Sequence, residues 1–204
     1  MQPIKNIIFD LGGIFLDIHY QLTKDAFINL GIKNFDELFT QHHANDLFEE
    51  LETGKITELE FYDLLRQEVS INLSNQQIKT AWNALLGGFP LEKLKWLENI
   101  KQKYNIYLFS NTNQIHYDAF MKIYEAETGK NDFNQHFIKA YYSQNMGLRK
   151  PYPESFLYII NEQNLLPTET LFIDDTIKNI EGAKSVGLQT IYLIAPQTVL
   201  DLDL

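Results

Sequence analysis

The chain has 204 residues, 45% of them hydrophobic and 13% aromatic, which is enough apolar surface for a buried core and too much for a disordered polymer. Lys and Arg number 17 against 27 Asp and Glu, and the resulting net charge of −10 repels nucleic acid and anionic lipid. The chain has no cysteine, which excludes disulfides, thiolate-held metals and thiol nucleophiles.

The first apolar run is short. Lys5–Phe9 reads as a strand, and Ile7-Ile8-Phe9 before Asp10 is too brief for a signal-peptide core. No window reaches the roughly 18 apolar residues of a membrane span. The expectation is a cytoplasmic protein with neither nucleic-acid nor membrane partners. From Asp17 to Phe89 no strand pattern occurs. Thr57 with Glu60, and Ser74 with Gln77, have the spacing of capping boxes that open helices, and Phe61, Leu64, Leu65 and Val69 form an apolar stripe. His42 and His43 are adjacent and so face different sides of a helix, which predicts a solvated pair rather than a metal site. Gly87-Gly88 closes the stretch.

Beyond it, short β-branched or aromatic runs alternate with helix-period segments. Strands are predicted at Asn105–Phe109, Phe137–Tyr142, Thr170–Ile173 and Gln189–Leu193. Helices are predicted at Leu91–Tyr104, Gln114–Tyr124, Pro153–Glu162 and Lys178–Val186, the last stopped by Gly187. The fold class is therefore α/β: a doubly wound, Rossmann-like parallel-sheet core with an inserted all-helical module. The core takes residues 1–16 and 90–204 and the helical module 17–89. The module holds 5 basic and 12 acidic residues, a net −7, so long-range steering of an anion toward it is poor.

Polar residues that carry chemistry cluster where strands end. The first strand runs into Asp10-Leu11-Gly12-Gly13 and the second into Ser110-Asn111-Thr112. The third is followed by Gly147-Leu148-Arg149-Lys150-Pro151, and the fourth ends at Asp174-Asp175-Thr176, with Asn179 just beyond. One hydroxyl, one amine and three carboxylates thus converge on the carboxyl edge of one sheet. A hard divalent cation such as Mg²⁺ relieves the repulsion among the carboxylates. A hydroxyl and a lysine beside it suit an oxyanion, most plausibly phosphate, and Asp10 can then act as nucleophile through an acyl-phosphate.

The order Asp10, Ser110, Lys150, Asp174-Asp175 resembles the four motifs of the haloacid dehalogenase (HAD) superfamily of phosphohydrolases, and the helical insertion resembles that superfamily's cap. Phe9-Asp10-Leu11-Gly12-Gly13, Ser110-Asn111-Thr112-Asn113, Gly147-Leu148-Arg149-Lys150-Pro151 and Glu52-Thr53-Gly54-Lys55-Ile56-Thr57 are similar to those of the family's sugar-phosphate phosphatases acting on α-D-glucose 1-phosphate. The resemblance implies that Asp10 attacks phosphorus and, with the Gly12 carbonyl and Asp174-Asp175, holds Mg²⁺, Asp175 being the more direct ligand of that pair. It implies that Ser110 and the Asn111 amide hold the phosphoryl oxygens and that Lys150 neutralises Asp10 and the transition state. Asn179 would stand behind the metal ligands. The implied partner is a small phosphorylated metabolite, with a sugar 1-phosphate favoured.

One residue departs from the pattern. Most of the family's phosphatases carry a second aspartate two residues after the nucleophile, and here that position is Gly12. General acid–base help is worth ~10²–10⁴ in rate, so its loss selects for a good leaving group such as an anomeric phosphate. Asp17, His19 or a residue of the inserted module are the candidates to activate water. Gly12 also keeps two alternatives open: a metal-independent dehalogenase-type hydrolase, and a weakened Mg²⁺- and phosphate-binding regulatory protein.

Overall fold

The computed structural model describes residues 3–41 and 43–204, so His42, and with it the reading of the His42-His43 pair, lies outside the described residues. The chain opens with strand β1 (Asn6–Phe9) and then enters a mainly helical stretch. This comprises α1 (Tyr20–Asn29), α2 (Phe35–Leu38), β2 (Phe39–Thr40), β3 (His43–Ala44), α3 (Asp46–Glu52), α4 (Glu58–Val69) and α5 (Asn75–Asn83). There follow α6 (Leu91–Ile100), β4 (Asn105–Ser110), α7 (Gln114–Thr128), β5 (Lys139–Tyr142) and α8 (Ser143–Met146). The chain finishes with α9 (Pro153–Glu162), β6 (Thr170–Asp174), α10 (Ile177–Ser185) and β7 (Gln189–Tyr192).

The five long strands form one sheet in the order β5-β4-β1-β6-β7, parallel at every pairing. Strand pleating sorts their side chains between two helical layers. Ile7, Phe9, Leu108 and Ile173 pack with Leu97 of α6 and Tyr124 of α7, while Ile8, Phe109 and Phe172 pack with Phe156 and Ile159 of α9 and Ile180 of α10. Both faces of the sheet are covered, as its near-continuous apolar strands require. Phe9 pairs in register with Leu108 and with Ile173. Asp10, Ser110 and Asp174 therefore leave the sheet within about one residue of the same level.

Helices α1–α5 enclose a separate aromatic cluster of Phe27, Phe35, Phe48, Phe61 and Trp82, joined by Ile115 of α7. The rings of Phe27 and Phe35 stack at 4.4 Å. Residues 17–89 are not wholly helical: β2 and β3 form a two-residue antiparallel pair. Phe39 adopts an extended backbone there because its ring packs edge-on to Trp82 at 4.6 Å and against Phe48 at 5.2 Å, a local burial that outweighs helix propensity. Other differences are boundary shifts. Helix α6 stops at Ile100 rather than Tyr104, and α7 runs on to Thr128, where Gly129 takes a left-handed conformation.

The two connections between the helical stretch and the sheet run side by side. Ile18 bridges Leu86 in antiparallel fashion, the Asp17 amide donates to the Gly88 carbonyl at 3.0 Å, and Gly87 donates back to Asp17 at 2.8 Å. Both capping boxes form, the Ser74 side chain accepting from the Gln77 amide while the Gln77 side chain accepts from the Ser74 amide. Ser74→Ala removes one half of that exchange and lowers stability by about 1 kcal/mol, read from the urea midpoint at unchanged m-value.

Candidate active site

Lys150 is the centre of the site. Its Nζ lies 2.6 Å from Asp10 Oδ1, 2.8 Å from Asp174 Oδ2 and 2.9 Å from the Phe109 carbonyl, and the residue is 1% exposed. The rings of Phe109 and Phe172 flank the ammonium at 5.3 and 5.5 Å. Three different strands thus supply acceptors to one cation that enters from the loop after α8. Asn111 fixes that loop. Its side-chain amide donates to the Lys150 carbonyl and its Oδ1 accepts from the Lys150 amide, both at 2.9 Å.

Asp174 ends β6 fully buried and accepts from the Thr176 amide at 2.7 Å and from Asn179 Nδ2 at 3.1 and 3.0 Å on its two oxygens. Asp175 is half-buried and takes a side-chain hydrogen bond from Gln41 at 3.3 Å. Asp10, Asp174 and Asp175 each place a carboxylate oxygen within 4.8 Å of the others. Ser110 is buried beside them at the end of β4. Gly13 makes this closeness possible. It has φ +73, and a Cβ there would meet Asp175 Oδ2 at 2.3 Å.

Electrostatics follow the geometry. Burial pushes the Asp10 carboxyl up to about 7; Lys150 opposes the shift while Asp174 and Asp175 add to it. Burial, reinforced by Asp174, pushes Asp175 up to about 6. Burial alone would lower Lys150, but Asp10 and Asp174 outweigh it and hold the ammonium above its usual range. Three carboxylates face one ammonium, an excess of negative charge with oxygen donors only. That donor set matches a hard divalent cation.

These groups open into a cavity of about 320 Å³ whose far wall comes from the helical stretch: Tyr20, Gln41, Glu49 and Glu52. Arg149 pairs with Glu49 and, at 3.0 Å, with Glu52, tying the loop of Lys150 to α3. Asp10, Gly12, Ser110, Asn111, Lys150, Asp175 and Asn179 all line the cavity, with Asp174 directly behind through Lys150 and Asn179. Asp17 and His19 do not line it: Asp17 faces Lys93 at 3.5 Å, and His19 packs near Gly87. Tyr20 and Gln41 carried no sequence signal, since each reaches the site only through long-range packing, whereas Arg149 stands beside Lys150 in the chain and gains its partners Glu49 and Glu52 through the fold.

A parallel sheet carries an acidic, lysine-bridged centre at its carboxyl edge. A family model described as haloacid dehalogenase-like hydrolase matches residues 4–187, and the chain belongs to that family. D-ribitol-5-phosphate phosphatase from Bacteroides thetaiotaomicron is 35% identical over 187 residues, covering 92% of this chain and 90% of that protein. The crystal structure of an HAD family enzyme from the same organism, an aspartate-to-alanine variant in complex with magnesium and inorganic phosphate, superposes with a TM-score of 0.86. It has 32% identity, with 96% of each chain covered. L-2-haloacid dehalogenase from Xanthobacter autotrophicus, at 17% identity and a TM-score of 0.57, covers 93% of this chain and 77% of its own, and shares the fold. No helix among the described residues is long and apolar enough to cross a membrane.

Replacing Lys150 by methionine strands two buried carboxylates, and stability falls by about 3–5 kcal/mol. Without the ammonium the folded pKa of Asp10 rises further above its unfolded value, so the folded state binds more protons than the unfolded state. The variant's deficit therefore grows as pH rises from about 4 through neutrality, a trend measurable by denaturant titration at several pH values.

Proposed function

We propose that this protein is a Mg²⁺-dependent phosphatase that hydrolyses a small sugar or sugar-alcohol phosphate monoester through an aspartyl-phosphate on Asp10. The supporting observation is the Lys150 ammonium held between Asp10 and Asp174, with Asp175 within 4.8 Å, on one sheet edge. The similarity to a ribitol-5-phosphate phosphatase over nearly the whole of both chains supports the substrate class.

In this reading Asp10, Asp174-Asp175 and the Gly12 carbonyl hold the cation. Asp174 is already engaged by Lys150 and Asn179, which leaves Asp175 as the better placed of the pair. Bound there, Mg²⁺ supplies charge neutralisation to the carboxylates and to the phosphoryl oxygens. Asp10 attacks phosphorus in line with the departing alkoxide. Lys150 favours the ionised form of Asp10 and offsets charge on the equatorial oxygens, and the Ser110 hydroxyl with the Asn111 amide orients them. Asn179 braces Asp174. Residues 17–89 serve as a cap, with residues 1–16 and 90–204 as the core, and the cap's Tyr20, Gln41 and Glu52 close the cavity over the leaving group.

Gly12 leaves no carboxyl beside the nucleophile, and a proton brought to the leaving oxygen from across the cavity serves it less directly, so esters whose oxygen departs easily are favoured, with sugar 1-phosphates foremost. Turnover is expected to vanish with EDTA and return with Mg²⁺. Asp10→Asn is expected to reduce it to the protein-free rate. On a panel of esters, glucose 1-phosphate should outpace ribitol 5-phosphate and glycerol phosphate. Equal rates would leave the phosphatase reading intact and remove the preference for anomeric esters. A wild-type protein without Mg²⁺-stimulated hydrolysis of any ester would refute the phosphatase reading itself.

A further inference from the structure

The mechanism as proposed lacks a proton donor for the leaving group and an acceptor for the attacking water. Among the described residues four carboxylates line the cavity: Asp10, Asp175, Glu49 and Glu52. Asp10 and Asp175 belong to the nucleophile and cation site. Glu49 Oε1 accepts from both Arg149 Nη1 and, at 3.0 Å, the Tyr152 hydroxyl, which holds its charge in place. Glu52 differs. It is 6% exposed at the end of α3, and its Oε2, though 3.0 Å from Arg149 Nη2, receives no hydrogen bond from the described residues.

Two other titratable groups of the cavity wall, His116 and Tyr20, do not serve. Burial lowers His116 to about 3, so it holds no proton to give, and its Nδ1 is engaged with Asn83 Oδ1 at 2.8 Å. Tyr20 is pushed well above its ordinary range by burial and by Asp175, and so stays protonated and cannot act as a base. Asp17 and His19 lie outside the wall.

We propose that Glu52, reaching into the active-site cavity from the cap, is the catalytic acid and base that Gly12 omits. This rests on the phosphatase reading above. In the first step Asp10 Oδ forms a bond to phosphorus as the P–O bond to the leaving group breaks. The Glu52 carboxyl gives its proton to the departing oxygen, and Arg149 stabilises the carboxylate that results. In the second step water attacks the aspartyl-phosphate, Glu52 takes the water's proton, and the Asp10–phosphorus bond breaks to release phosphate. Glu52 ends protonated, ready for the next cycle.

The groups facing Glu52 give it this double character. Burial raises its pKa, with Glu49 adding to the shift, while Arg149 and Lys150 pull it down. Such a carboxyl exchanges a proton more readily than one left in water or locked in a full salt bridge.

Glu52→Gln keeps the volume and polarity of the side chain while removing the ionisable carboxyl, and with it the charge that faces Arg149. The test compares kcat/KM of this variant and the wild type, with Mg²⁺, on glycerol phosphate and on p-nitrophenyl phosphate. Glycerol phosphate needs its leaving oxygen protonated, whereas nitrophenolate departs as an anion. The expected loss is about 10²-fold or more for glycerol phosphate, and at least tenfold smaller for p-nitrophenyl phosphate. Hydrolysis of p-nitrophenyl phosphate also reports that the variant is folded. An equal loss on both esters, or no loss on either, overturns the assignment of Glu52 while the phosphatase reading stands. A wild type that hydrolyses neither ester overturns both.

Discussion

A buried ammonium between two carboxylates organises this protein. Lys150 satisfies Asp10 and Asp174 at once, and a third bond to the Phe109 carbonyl spends its last donor. Desolvating these charges is costly, and only mutual contact at 2.6–2.8 Å offsets it. The arrangement therefore demands that three strand ends stay flush and that the Lys150 loop stay close, which the register of β1 with β4 and β6 and the paired hydrogen bonds of Asn111 provide. The fold is rigid where the charges are.

That rigidity has a chemical use. The site carries more negative than positive charge, and the imbalance shows in Asp10 and Asp175, whose carboxyls are both held above their ordinary range. A pocket that is short of positive charge and built of fixed oxygens binds a divalent cation with little rearrangement. The helical stretch contributes differently. Its residues meet the site through the pairs of Arg149 with Glu49 and Glu52 and through Gln41 on Asp175, contacts between separate clusters rather than within one.

The sheet core was legible in the sequence because each strand is a short apolar run that stops at polar, glycine-rich or proline-bearing residues. Asp10, Ser110 and Asp174-Asp175 stand at those stops, Lys150 follows in the loop beyond α8, and placement at the carboxyl edge of a parallel sheet brings them together. The capping boxes at Thr57 and Ser74 were equally local, and both form. What escaped was what distance along the chain conceals. Phe39 turns extended only because Trp82, far along the chain, offers its face. Tyr20 and Gln41 gain significance only once α1, β2 and the strand ends share a cavity. Asp17 and His19, close in sequence to the nucleophile, fall outside it.

The paired connections at Ile18 and Leu86 carry a consequence for modularity. Asp17 and Gly88 are hydrogen-bonded neighbours, so the chain between them leaves and returns at a single point. Loop-closure entropy is met by this small clasp and rises only slowly with the length of chain it encloses. A different insert, longer or shorter, can hang from the same clasp without parting β1 from α6. Backbone continuity between the helical stretch and the sheet is thereby confined to this clasp, while Arg149 and Gln41 couple the stretch to the charged edge through side chains.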